Sequence, residues 1–324
     1  MSFSDWKVPA AFQPKPDEYE FDLDGVLGSV LYISSIVPET AFSAATLGTE
    51  RAGSAVLIRD NGLVLTVGYL VNEADSVWLR TGEGKVVPAD VIGIDHTSGF
   101  ALVQALGKLD CPPLRLGDSD MIQIGDDVVM AGGGGRLRAV AAHVVARQQF
   151  AGYWEYLLEQ AIFTSPSHPN WGGTALIGPE GDLVGLGSLQ LEQQRGKGIT
   201  ENINMSIPIN LLKPVIEDIL ATGQPNQPPR PWLGLYATDM DNKVVVMGVA
   251  DRGPAKAANL QAGDVVLSVN GAPVVELAGF YKKLWALGPV GTKLQLGILR
   301  NGRTLEISVV SADRNRIAQN PKLH

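Results

Sequence analysis

Ser165-Pro166-Ser167-His168-Pro169 and Asp95-His96 hold the side-chain types of nucleophilic hydrolysis. A hydroxyl attacks, an imidazole takes its proton, and a carboxylate holds the imidazole in one tautomer. Nearness in sequence is weak ground for a triad, and Ser-Pro-Ser-His-Pro reads more simply as a turn cluster, since Ser and Pro both favour turns. Ala131-Gly132-Gly133-Gly134-Gly135-Arg136 offers amides of the kind that cradle phosphate, but it lacks the G-x-x-x-x-G-K-[ST] spacing and reads as a flexible turn between strands. The four histidines, His96, His143, His168 and His324, and the one cysteine, Cys111, show no ligand spacing. No metal site and no cofactor are expected.

The elements that position any chemistry here read as strands. Gly53-Ser54-Ala55-Val56-Leu57-Ile58, the turn Asp60-Asn61-Gly62 and the run 63–71 give strand, turn, strand. Further along stand Asp95-His96-Thr97-Ser98-Gly99-Phe100-Ala101-Leu102-Val103, Pro169-Asn170-Trp171-Gly172-Gly173, and Glu180-Gly181-Asp182-Leu183-Val184-Gly185. In this order the runs resemble the HtrA family of trypsin-like proteases. The family patterns are T-N-x-H-V for the catalytic histidine, D-x-x-x-D-h-A-h-h for the orienting aspartate, and G-N-S-G-G for the nucleophile.

The resemblance implies a catalytic site whose side chains have all been exchanged. Tyr69 stands at the histidine position, Gly99 at the aspartate and Trp171 at the serine. A phenol with a reference pKa near 10 is only about 0.1% ionised at pH 7, a glycine orients nothing, and an indole has no nucleophilic atom. Pro169 replaces the glycine whose amide helps form the family's oxyanion hole, and proline has no N–H to give. Hence the site residues are read as degenerate, none of them a working catalyst.

Gly223-Gln224-Pro225-Asn226-Gln227-Pro228-Pro229-Arg230-Pro231 carries four prolines and continues neither helix nor strand. It separates a first region, in which a helix over 209–220 capped by Asn210 closes two batches of strands, from a second. That second region contains Leu260-Gln261-Ala262-Gly263-Asp264-Val265-Val266 and Val269-Asn270-Gly271, then a helix over 276–287 and a hairpin turning at Arg300-Asn301-Gly302-Arg303. This resembles a PDZ domain of the HtrA type. The expected fold is mainly β: a trypsin-like double antiparallel β-barrel followed by an α+β PDZ domain. The expected divisions are an aromatic-rich arm at 1–27, the inactive protease domain at 28–222, a linker at 223–231, the PDZ domain at 232–313 and a tail at 314–324.

PDZ domains add a peptide to a sheet edge and hold its C-terminal carboxylate in a nest of backbone amides. The match to that loop is Trp232-Leu233-Gly234-Leu235, with the amides of Leu233, Gly234 and Leu235 facing the carboxylate. On the helix, Phe280, Leu284 and Leu287 are assigned to the core, and Leu277 and Tyr281 to the groove.

The chain of 324 residues has a formal charge of -8 and no basic stripe, so the electrostatic term that dominates nucleic-acid affinity is missing. No run approaches the ~20 apolar residues that span a bilayer, and Met1 to Pro16 shows no apolar export segment. A cytoplasmic setting is expected, or a periplasmic one if a signal has been removed. The partners expected are C-terminal peptides or unfolded proteins, bound by a scaffold or chaperone-like protein. Phe3, Trp6, Phe12, Tyr19 and Phe21 either pack the arm on its own domain or join copies; the resemblance implies a homotrimer, or assembly with active homologues as a regulatory subunit. A weakly active endopeptidase with rearranged catalytic groups is the alternative.

Overall fold

The computed structural model describes residues 6–194, 198 and 200–316. Twelve strands close into two barrels. The first holds β1 (Val30–Ile36), β2 (Glu50–Arg59), β3 (Leu63–Val67), β4 (Ser76–Arg80), β5 (Val86–Ile94) and β6 (Phe100–Ala105), joined in the order β1-β2-β3-β6-β5-β4. The second holds β7 (Asp127–Ala131), β8 (Ala139–Gly152), β9 (Tyr156–Ser165), β10 (Ala175–Ile177), β11 (Leu183–Gln194) and β12 (Thr200–Pro208), joined as β7-β8-β9-β12-β11-β10. The second order repeats the first. β2 and β3 are buried along most of their lengths, with Val56 opposite Leu65, because a closed barrel turns apolar side chains inward and leaves no edge to blunt.

The PDZ module is a sheet in the order β13-β14-β15-β17-β18, with β16 paired to β15. Its strands are β13 (Leu235–Met240), β14 (Lys243–Val249), β15 (Val265–Val269), β16 (Ala272–Pro273), β17 (Lys293–Arg300) and β18 (Arg303–Val310). The helix Leu277–Ala286 buries Phe280 and Leu284 against Val244, Val266, Leu296 and Ile298. Trp232 and Ala312 exchange two backbone hydrogen bonds and close the module near both expected ends. The chain divides into two compact units, passing from the first to the second between Asn226 and Gln227. The hairpin tip Gln149–Glu159, between β8 and β9, belongs to the PDZ unit.

Two expectations change. The predicted helix over 209–220 is a single 3-10 turn, Ile209–Leu211, followed by a separate helix, Ile216–Thr222. Pro214 lies between them, where its missing N–H and its ring interrupt helical bonding. Asn210 caps nothing: its amide N–H donates to Ser119 and its side chain to Asp118. The glycine run 132–135, expected as a flexible turn, is packed at Gly133, where a Cβ would meet the Tyr32 amide at 2.4 Å, and open at Gly135, where a Cβ would meet nothing within 4 Å. In the arm, Val8 is buried in the second barrel, Trp6 packs against that core, and the helix Leu23–Gly28 runs past the expected boundary at 27. Phe3 and the end of the tail lie outside the described residues.

Candidate functional site

Tyr69 stands on the short helical turn Gly68–Val71 that ends β3. Its hydroxyl donates to the Ser188 carbonyl at 2.9 Å and is hydrogen-bonded to the Trp171 side chain. Burial pushes the phenol well above its ordinary range, offset only in part by that bond to Trp171. Gly99 sits in the turn between β5 and β6 at φ +88°, and its carbonyl accepts the Gly68 amide at 2.7 Å. The Asp95 carboxylate is spent on the same turn, taking the amides of Thr97 and Ser98 at 2.8 and 3.1 Å. Behind Trp171, the Gly172 carbonyl accepts the Ser54 amide, and a Cβ at Gly173 would lie 1.9 Å from the Ser54 carbonyl oxygen. Tyr69, Gly99 and Trp171 are thus brought together as the sequence reading places them. What they form is a hydrogen-bonded aromatic pair beside a bare turn.

The serines and histidine before Trp171 do not form a relay. Ser165 Oγ donates to Glu201, and Ser167 Oγ accepts from Gln190 at 3.0 Å. His168 is buried, with Nε2 at 2.8 Å from the Arg138 carbonyl and Nδ1 accepting the Asn170 amide at 3.2 Å. Those contacts set the neutral Nε2–H tautomer. Burial lowers its pKa to about 4. Trp6 meets the imidazole edge-on at 5.4 Å, and Asn204 brackets the His168 backbone with both ends of its amide.

The amides of Leu233, Gly234 and Leu235 converge on one carboxylate, with Gly234 at φ +78° where a tight path needs glycine. Trp232 takes no part through its amide, which bonds Ala312. Leu277 and Tyr281 are corrected from groove lining to core, at 3% and 0% exposure, because the helix turns the whole face of Leu277, Phe280, Tyr281 and Leu284 onto the sheet. Tyr281 nonetheless reaches the groove with its hydroxyl.

The residue that sequence reading missed is Glu155. Its Oε1 accepts the amides of Gly234 at 2.6 Å and Leu235 at 2.8 Å, and its Oε2 accepts that of Leu233 at 3.0 Å. Burial pushes the carboxyl up to about 7 against the three amides and Arg314, which favour the anion. Around it, the Tyr281 hydroxyl accepts the Glu155 amide at 3.1 Å and donates to the Gly152 carbonyl at 2.9 Å. Ala237, on the edge strand β13, donates to the Tyr153 carbonyl at 2.8 Å. Leu157 is 6% exposed within the PDZ core, a burial worth about 2 kcal/mol. The signal available in sequence was a lone acid at the turn of an aromatic run, Tyr153-Trp154-Glu155-Tyr156.

Residues 53–186 match the trypsin-like peptidase domain and residues 231–310 the PDZ domain. The periplasmic pH-dependent serine endoprotease DegQ of Escherichia coli (strain K12) is 29% identical over 276 residues, 80% of this chain and 59% of that protein. The periplasmic serine endoprotease DegP of the same organism is 28% identical over 273 residues, 79% of this chain and 56% of that protein. The chain therefore spans less than two thirds of the length of these relatives. Among solved structures, the HtrA-type protease AlgW with decapeptide superposes with a TM-score of 0.52 at 22% identity, over 91% of this chain and 99% of that one, a likeness of fold.

Proposed function

We propose that this chain, built in the order of HtrA-type proteases with a trypsin-like peptidase domain ahead of a PDZ domain, works by binding peptides and not by cutting them. The observation that carries the reading is the Tyr69–Trp171 pair beside Gly99. Tyr69 offers a proton already committed to the Ser188 carbonyl where a base is needed, and Trp171 fills the nucleophile position with a group that cannot attack carbon. Pro169 removes an oxyanion donor, a loss that typically costs about 100 to 1000-fold in turnover. DegQ and DegP are named as endoproteases, so the relatives set the contrast. The separate bonding of Ser165, Ser167 and His168 speaks against relocated chemistry. The PDZ nest keeps its amides, which supports recognition of peptide C-termini by main-chain bonding.

The test is labelling of the intact chain with a fluorophosphonate probe beside casein hydrolysis. The expected result is neither label nor turnover. Activity lost in Ser165→Ala or Ser167→Ala would establish relocated chemistry; activity surviving in both would show the reading of the site to be wrong.

A further inference from the structure

A PDZ groove has three walls: a loop of amides, the edge of one strand, and a helix. The hairpin tip touches each of them. Glu155 takes the loop through three amides, Tyr153 takes the Ala237 amide on the free edge of β13, and Gly152 and Glu155 both bond the Tyr281 hydroxyl on the helix. The side-chain carboxylate thus stands where a peptide's terminal carboxylate binds, and the carbonyl two residues earlier stands where an added strand would pair. Leu157 supplies an apolar contact to the module's core, and Lys282 of the helix pairs with Glu159 at 3.1 Å.

The backbone indicates that this glutamate is held for its side chain. Glu155 sits at φ +59°, in the left-handed region where glycine is comfortable and a branched backbone position is strained. Glycine would make the turn more readily, but it would bring no carboxylate to the nest.

We propose that the hairpin tip is the PDZ groove's own ligand: the Glu155 carboxylate occupies the amide nest, and a C-terminal peptide binds only by displacing it. This rests on the peptide-binding reading above and adds that the groove of the free chain is closed. Amides of Leu233, Gly234 and Leu235 cannot serve two carboxylates at once, and the Ala237 amide cannot pair two strands. Binding is therefore a competition between a tethered acid and a free one.

The experiment uses the full chain, as wild type, Glu155→Gly and Glu155→Gln. Glu155→Gly relieves the positive φ as it removes the acid, and Glu155→Gln keeps the shape without the charge, so folding is preserved by at least one. Two readouts are taken. The first is hydrogen exchange at the amides of Leu233, Gly234 and Leu235 without any peptide; the second is titration with a pool of decapeptides ending in free-carboxylate Val, Leu, Ile, Phe, Met or Ala, beside the same pool amidated. The expectation is faster exchange in both variants and at least about ten-fold tighter binding of the free-carboxylate pool to Glu155→Gly, with the amidated pool unchanged. Equal exchange in all three proteins overturns the proposal, as does measurable peptide binding of equal affinity in wild type and variants. Faster exchange with no binding of any peptide by any variant would uphold Glu155 as the nest's occupant and sink the peptide-binding reading instead.

Discussion

Tyr69 and Trp171 are tied to each other through the hydrogen bond between the phenol and the Trp171 side chain, and on the binding reading proposed above they stand in for a histidine and a serine. Restoring single residues therefore leaves a half-site. Tyr69→His with Gly99→Asp and Trp171→Ser is expected to stay inactive or very weak on casein, and Pro169→Gly added to it should raise turnover at least about ten-fold by returning an oxyanion donor. Full recovery by the first three changes would show that Pro169 does not matter. Gly99→Asp brings its own cost, since φ +88° strains any side chain. His168 gives a second prediction at this scale. Its folded pKa of about 4 lies below the ordinary 6.5, so the folded chain stays neutral where the unfolded chain takes a proton. The stability this contributes is complete above pH 6.5, falls as pH drops towards 4, and reaches a loss of about 3 kcal/mol there. Urea titrations at pH 7.5, 5.5 and 4.5 should show the decline, and His168→Gln should flatten it; an equal slope in both proteins would place the acid sensitivity elsewhere.

The hairpin between β8 and β9 shows what kind of element a sequence discloses. Its strands and its turn are local matters, like the turn at Asn301-Gly302, whose two positive φ angles follow from residue type. The partner of Glu155 lies 78 residues away, at Leu233, and no periodicity reaches that far. The mainly β fold with its two modules was legible because motif order and apolar runs carry it. The break at Pro214 was missed, because the run of Leu and Ile around it points to one continuous helix: periodicity marked the buried face while the imino ring decided where the helix stops. Tyr281 likewise reads as a groove residue by spacing and as core by burial, and it turns out to join the two through its hydroxyl. Tyr281→Phe removes both bonds from that hydroxyl to the hairpin. It should cost about 1 to 3 kcal/mol in urea unfolding and speed hydrogen exchange at Glu155. Unchanged exchange at Glu155 would mean the phenol does not hold the tip.

For the molecule as a whole, the arm is the part whose role divides between inside and outside. Val8 and Trp6 are committed to the second barrel, while Phe12 is 48% exposed. The full chain is expected to scatter light as a trimer, and Phe12→Asp to shift it towards monomer without loss of thermal stability; a monomeric full chain would remove the idea. The charge of -8 adds a uniform repulsion between copies that salt screens, so assembly should strengthen from low to physiological ionic strength. The turn glutamate at φ +59° has a further meaning for dose and response. A competitor fixed to the same chain never dilutes, so the concentration of peptide at half-occupancy is set by how often the tip lets go: each 1.4 kcal/mol of docking raises it about ten-fold. Scattered single chain ends would then go unanswered, whereas a crowd of them would fill the groove. On the proposal above, such a chain would report abundance, with its set point written in one buried side chain of the hairpin turn.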